Sequence, residues 1–185
     1  MLSAWRREDN YEEYLRLLQN EDYLDVTYDE KSGGVSAVHR LHKFGKQPGV
    51  CGMRRGDYER AVLAILRKNG HRIVLSEETN IPGIKSFDGY LDDVPVEIKT
   101  IEGTGTWSVC SKIRFAVKQR AECVVLFFPK EELYSPFRIS EGLRLFQTAA
   151  ENEIPKRLKI LIVVKDRLVV VWDDKKAAPI KGRSI

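Results

Sequence analysis

Six consecutive apolar residues, Cys123 to Phe128 (C-V-V-L-F-F), constrain the fold of this chain more than any other stretch. A strand with no polar side belongs at the centre of a sheet, covered on both faces. It follows a helical stretch, Val109 to Arg120, in which Ile113, Ala116 and Val117 recur on one side and Ser108 is the candidate cap. A helix leading into a buried strand is the βαβ signature of an α/β core. Pro129 to Phe137 then reads as a loop, and Ile139 to Ala150 as an amphipathic helix. Leu158 to Val164 and Arg167 to Trp172 read as two more strands, joined at Lys165-Asp166 in a hairpin.

Upstream, Asp57 to Asn69 predicts a helix. Asp57 is a fair N-cap, Val62, Leu63, Ile65 and Leu66 form the stripe, and Asn69-Gly70 is the stop. Arg72 to Ser76 reads as a short buried strand and Glu77 to Lys85 as a loop around Pro82-Gly83. Residues 8 to 20 carry a helical pattern through Tyr11, Tyr14, Leu15, Leu17 and Leu18, and Tyr23, Val26 and Tyr28 suggest a short strand. Ser32-Gly33-Gly34 is a turn and Lys43 to Gly52 a loop. His39 and His42, three apart on a helical turn, would share a metal or line a cleft; the plainer reading is an exposed loop or helix face. Arg40, Lys43 and Lys46 read as a solvated charged face.

Between the Arg72 strand and the Val109 helix lies S-F-D-G-Y-L-D-D-V-P-V-E-I-K-T-I-E, Ser86 to Glu102. Phe87, Tyr90 and Leu91 mark one strand, Val94, Val96, Ile98 and Ile101 a second, and Asp92-Asp93 the turn between them. Glu97 and Lys99 then point the same way, and Asp88 falls opposite Glu97. Two carboxylates and one ammonium would converge. Mg²⁺ (or Mn²⁺) favours such carboxylate oxygens. Held by Asp88 and Glu97, with the Ile98 carbonyl as a further ligand, the cation would activate water and polarise a phosphodiester. Lys99 would orient that water or stabilise transition-state charge. An exposed Glu–Lys ion pair would leave the same trace in sequence. On the next helix Lys112 and Gln119 share a face, suited to phosphate or the attacking water, or simply to solvent. The Gly103-Thr104-Gly105 stretch borders the motif, and Trp107 either stacks on a base or packs over the core edge.

Asp88 with Glu97-Ile98-Lys99 resembles the D…E-x-K core of the PD-(D/E)xK nuclease superfamily, with Phe87 standing where the family name has Pro. The stretch from about Arg54 to Trp172 matches that superfamily's order of elements. More narrowly, D-G-Y-L-D-D-V-P-V-E-I-K-T is similar to C-terminal nuclease domains of contact-dependent growth inhibition toxins, several of which cut tRNA. The resemblance implies an α/β, restriction-endonuclease-like mixed central sheet flanked by helices. It also implies that Glu59, on the preceding helix, joins the metal site; favourable charge at a helix N-terminus is the alternative. It further implies an immunity protein as partner and a cytoplasmic site of action, reached as part of a larger secreted protein.

Composition sets the outer bounds. A chain of 185 residues, 43% hydrophobic, makes one domain or one domain with an appendage. We expect residues 1–50 as an N-terminal α+β appendage, 51–175 as the nuclease domain, and 176–185 as a disordered tail. Net charge is +4, compatible with a polyanion partner. Cys51, Cys110 and Cys123 lack metal-ligand spacing and read as reduced thiols. No apolar run reaches membrane-span length, and the first residues do not read as a signal peptide. Nucleotide-loop and nucleophile-elbow motifs are missing. The expected function is a metal-dependent endonuclease acting on tRNA or DNA. The alternative is a catalytically silent nucleic-acid-binding or interaction domain of a phage or mobile element.

Overall fold

The computed structural model describes residues 10–50, 52–77, 87–149, 155 and 158–173. In chain order the elements are α1 (Tyr11–Leu18), β1 (Tyr23–Asp29), β2 (Gly34–His39), α2 (Arg55–Lys68), β3 (Arg72–Leu75), β4 (Gly89–Leu91) and β5 (Val94–Thr100). Then follow α3 (Thr106–Lys118), β6 (Cys123–Phe128), a 3-10 turn (Glu131–Leu133), α4 (Pro136–Ala149), β7 (Lys159–Val164) and β8 (Arg167–Asp173). The eight strands make one mixed sheet whose spatial order is the chain order. β2/β3, β5/β6 and β6/β7 are parallel and the other neighbours antiparallel. Each parallel pair is bridged by a helix (α2, α3 or α4), because parallel strands need a long crossover.

Alternation along the strands divides the core between two faces. Val62, Leu63, Ile65 and Leu66 of α2 pack with Val96, Ile98, Val125 and Phe127 on one side. Val109 and Ile113 of α3 and Ile139 and Phe146 of α4 pack with Val124, Leu126 and Phe128 on the other. All six residues of β6 are buried, as an all-apolar central strand requires. At roughly 1.5–3 kcal/mol per large side chain, that strand contributes on the order of 10 kcal/mol of gross burial before conformational entropy is set against it.

The segment read as an appendage continues this sheet: β2 lies parallel to β3, and Leu17 of α1 buries against Val35 and Ala37. The Ser32 hydroxyl donates to the Arg67 carbonyl at 2.8 Å, tying the β1–β2 turn to the end of α2.

Several local expectations are corrected. α2 begins at Arg55, so Asp57 is not the N-cap; its carboxylate accepts the Arg54 N–H at 3.0 Å from inside the first turn. α3 begins at Thr106 rather than after Ser108, whose hydroxyl donates back to the Gly105 carbonyl at 2.5 Å. α4 begins at Pro136, a residue whose fixed φ suits a first turn, so the preceding loop is shorter than expected. His39 and His42 share no helical turn. His39 ends β2 with its ring against Tyr23, and His42 turns into the protein. The expected loop around Pro82-Gly83, Cys51 and the tail 176–185 lie outside the described residues. No helix among the described residues is long and apolar enough to cross a membrane.

Candidate functional site

β2, β3 and β5 run in the same direction, because β3 and β5 both lie antiparallel to β4. Their C-terminal ends therefore share one edge of the sheet. His42 follows β2 there, Ser76 follows β3, Lys99 lies near the end of β5 with Glu102 just beyond it, and Asp88 leads into β4. In open α/β sheets the C-terminal ends of the strands are where ligands bind.

The hairpin that builds the centre is fixed by its turn. Asp92 and Asp93 both take positive φ (49° and 67°), the two-residue geometry whose twist matches paired strands. The Asp92 carboxylate accepts the Arg72 N–H at 2.8 Å and pairs with His71 Nδ1 at 2.7 Å, so these acids are structural. The turn sets Gly89 opposite Val96, and Asp88 next to Glu97. The Asp88 N–H donates to Glu97 Oε2 at 3.0 Å, and Asp88 Oδ2 accepts the Ile98 N–H at 2.7 Å. Lys99 Nζ pairs with Glu97 Oε1. A strand residue sends its N–H and C=O to the same side, so the Ile98 carbonyl leaves β5 on the Asp88 side.

These carboxyls sit in an unusual electrostatic position. Burial, and next the Glu97 charge, push Asp88 up to about 7. Burial also raises Glu97, against the opposing pull of Lys99, the Asp88 N–H and Gln119. Glu97 is buried, with 1% of its surface exposed, which removes the reading of an ordinary surface ion pair.

Gln119, at the end of α3, hydrogen-bonds Glu97. Lys112 is half-buried; desolvation and then the Lys99 and Arg55 charges lower its pKa, so it stands in reach of the same cluster. Helix α3 thus lays both of its expected residues along β5. Glu59, on α2, contributes charge to Asp88 but is engaged by His42, whose Nε2 lies 3.1 Å from Glu59 Oε2. His42 Nδ1 lies 3.0 Å from the Ser76 carbonyl. A carbonyl only accepts, so His42 Nδ1 carries the proton it shares with Ser76, and Nε2 faces the Glu59 carboxylate. Burial alone would lower His42, but the Glu59 carboxylate and the Ser76 carbonyl outweigh it and raise its pKa.

Three features escaped the sequence. The His42–Glu59 pair joins residues 17 apart across two elements, and only the tertiary fold brings them together. Glu102, the last residue of the motif segment, pairs with Arg55 at 2.7 Å, and its other oxygen is buried without a hydrogen-bond partner among the described residues. The Arg138 guanidinium donates to the carbonyls of Leu133 and Gly103, the latter at 2.6 Å, so the Gly-rich loop is strapped to α4. Trp107 is 61% exposed and does not pack over the core edge.

Among the described residues, no three His, Cys, Asp or Glu side chains converge as a ready-made metal cage. The groups that could hold a cation are instead a carboxylate pair with an adjacent backbone carbonyl. Two acids whose ionisation is held back by burial and mutual repulsion suit a hard divalent cation, which offsets that repulsion and takes its remaining ligands from water. Compared with models of known protein families, with curated proteins and with solved structures, the chain matches none.

Proposed function

We propose that the protein is a metal-dependent nuclease of the PD-(D/E)xK type, hydrolysing phosphodiester bonds in tRNA or DNA, with the sheet as a restriction-endonuclease-like core. The observation that carries this reading is the pair of half-buried Asp88 and buried Glu97 with Lys99 beside it, at the C-terminal edge of the parallel strands. Asp88, Glu97 and the Ile98 carbonyl would hold Mg²⁺ or Mn²⁺. When bound, the cation supplies charge neutralisation at the phosphate and acidifies water.

The chain's own residues do the rest. Lys99 places its ammonium where negative charge develops on the phosphoryl oxygens. Gln119 fixes the Glu97 carboxylate, and Lys112 adds a second cation facing the phosphate. Glu59, held by His42, contributes charge beside Asp88 and keeps the cation's surroundings negative. An immunity partner and delivery within a larger secreted protein belong to this reading through the resemblance of the motif to toxin domains.

The test is incubation of the purified protein with total tRNA and with plasmid DNA, in Mg²⁺ or in EDTA. Glu97→Ala and Lys99→Ala serve as controls whose folding is confirmed by circular dichroism. Metal-dependent cleavage lost in both variants supports the assignment. Cleavage unchanged in either refutes it, and metal-indifferent binding without cleavage favours a silent nucleic-acid-binding domain.

A further inference from the structure

The 42–46 loop and the first turns of α2 line a cleft of about 650 Å³. Its walls carry Lys43, Lys46, Arg54 and Arg60 against a single carboxylate, Asp57. That carboxylate is already committed to the Arg54 N–H at 3.0 Å and lies 3.9 Å from Arg60. Lys43 and Lys46 are exposed and have no carboxylate partner among the described residues. The cleft is therefore short of negative charge.

It is also built in advance. Gly56 lets the loop lie against α2, since a Cβ there would stand 2.6 Å from Phe44 Cβ. The Gly56 N–H donates to the Gly45 carbonyl at 2.8 Å and the Arg55 N–H to the Gln47 carbonyl at 2.9 Å. Those first-turn N–H groups are occupied, so the cationic side chains, not the helix terminus, define what binds. The central guanidinium carbon of Arg60 sits over the Phe44 ring, 3.7 Å from its centre, which holds the cation against the loop.

One residue links the cleft to the candidate centre: His42 lines it and pairs with Glu59, whose charge acts on Asp88. Arg55 reaches from the start of α2 to Glu102 at the end of β5 and feels Lys112, so positive side chains continue from cleft to centre. A volume of this size, within the roughly 300–1,000 Å³ of small-ligand sites, exceeds what a lone phosphate fills.

We propose that this cleft is a second phosphate-binding subsite, taking the sugar–phosphate backbone of the substrate strand where it flanks the bond to be cut. The assignment rests on the nuclease reading for its substrate but not for its test. A labelled single-stranded oligonucleotide is titrated in EDTA at several salt concentrations, with binding read by fluorescence anisotropy. Each phosphate neutralised contributes about 0.7 to the log–log salt slope for single strands. Lys43→Ala/Lys46→Ala is thus expected to reduce that slope by about 1.4. Lys31→Ala/Lys68→Ala, the same charge change at exposed positions outside the cleft, is expected to leave it unchanged. An unchanged slope in the cleft variant, an equal loss in both variants, or no binding by the wild type overturns the subsite. Failure of cleavage with the slope difference intact would instead overturn the nuclease reading and leave the subsite standing.

Discussion

Asp88→Asn separates the electrostatics of the site from its shape. The amide keeps the size of the side chain and an oxygen for the Ile98 N–H, removes the charge, and turns the second oxygen into an NH2 donor. In the folded protein, burial and then the Glu97 charge carry the Asp88 carboxyl from 3.8 to about 7. Between those values the native state holds a proton that the unfolded chain releases, so stability falls as pH rises through the window. The stabilisation is complete below the unfolded value and gone above the folded one. At about 1.36 kcal/mol per pKa unit, the span amounts to roughly 4 kcal/mol. That is a ceiling, because Asp88 and Glu97 repel and share the cost. Urea unfolding in EDTA, followed from about pH 4 to about pH 8, should show wild-type stability declining. Asp88→Asn should be more stable than wild type by roughly 2–4 kcal/mol at the upper end and nearly equal at the lower. Saturating Mg²⁺, at about 100 times its dissociation constant, should return about 2.7 kcal/mol to the wild type and much less to the variant. A variant less stable than wild type near pH 8, or a flat wild-type profile, would refute the reasoning.

Two further substitutions probe the frame around the pair. His42→Ala leaves the Ser76 carbonyl and Glu59 without their donor and should cost about 1–3 kcal/mol in urea unfolding. Because the folded pKa of His42 is raised, its contribution is full below 6.5 and lost as pH rises through the folded value. The gap between wild type and variant should narrow there, and a gap that widens instead would contradict the pairing. Gly89→Ala would set a Cβ 2.2 Å from the Val74 carbonyl oxygen, forcing β3 and β4 apart beside Asp88. We expect a loss of about 1–3 kcal/mol or more, and an unchanged unfolding midpoint would show that the strands yield freely.

What the sequence made legible follows from which forces are local. The all-apolar run Cys123–Phe128 dictated a central strand, and the Asp92-Asp93 turn dictated the register that brings Asp88 to Glu97. Period-2 and period-3.6 spacing placed Glu97 with Lys99, and Lys112 with Gln119, on single faces. Each pair meets where those faces oppose one another. Helix starts were misjudged because capping depends on backbone geometry: Asp57 caps from within the first turn, and Pro136 opens α4 ahead of its apolar stripe. His42 is legible only in part: the sequence offers it as a cleft-lining residue, which it is, but not as the buried partner of Glu59. Its partner Glu59 and the Ser76 carbonyl come from other elements, so no local pattern announces a buried histidine in a basic loop. Tyr23, Val26 and Tyr28 announce β1, but β2 is not announced: it is buried from Gly34 to Val38, yet Gly34, Ser36 and Ala37 give that short stretch little apolar signal.

On the proposed reading, Asp88 and Glu97 together form a divalent-cation site. Mn²⁺ binding, followed by the loss of its free-ion electron paramagnetic resonance signal, tests this without a substrate. The account predicts a single saturable site on the wild type. It should be absent from Asp88→Asn/Glu97→Gln and retained in Lys43→Ala/Lys46→Ala. Equal Mn²⁺ binding by wild type and the Asp88→Asn/Glu97→Gln protein, or none by a folded wild type, would contradict it.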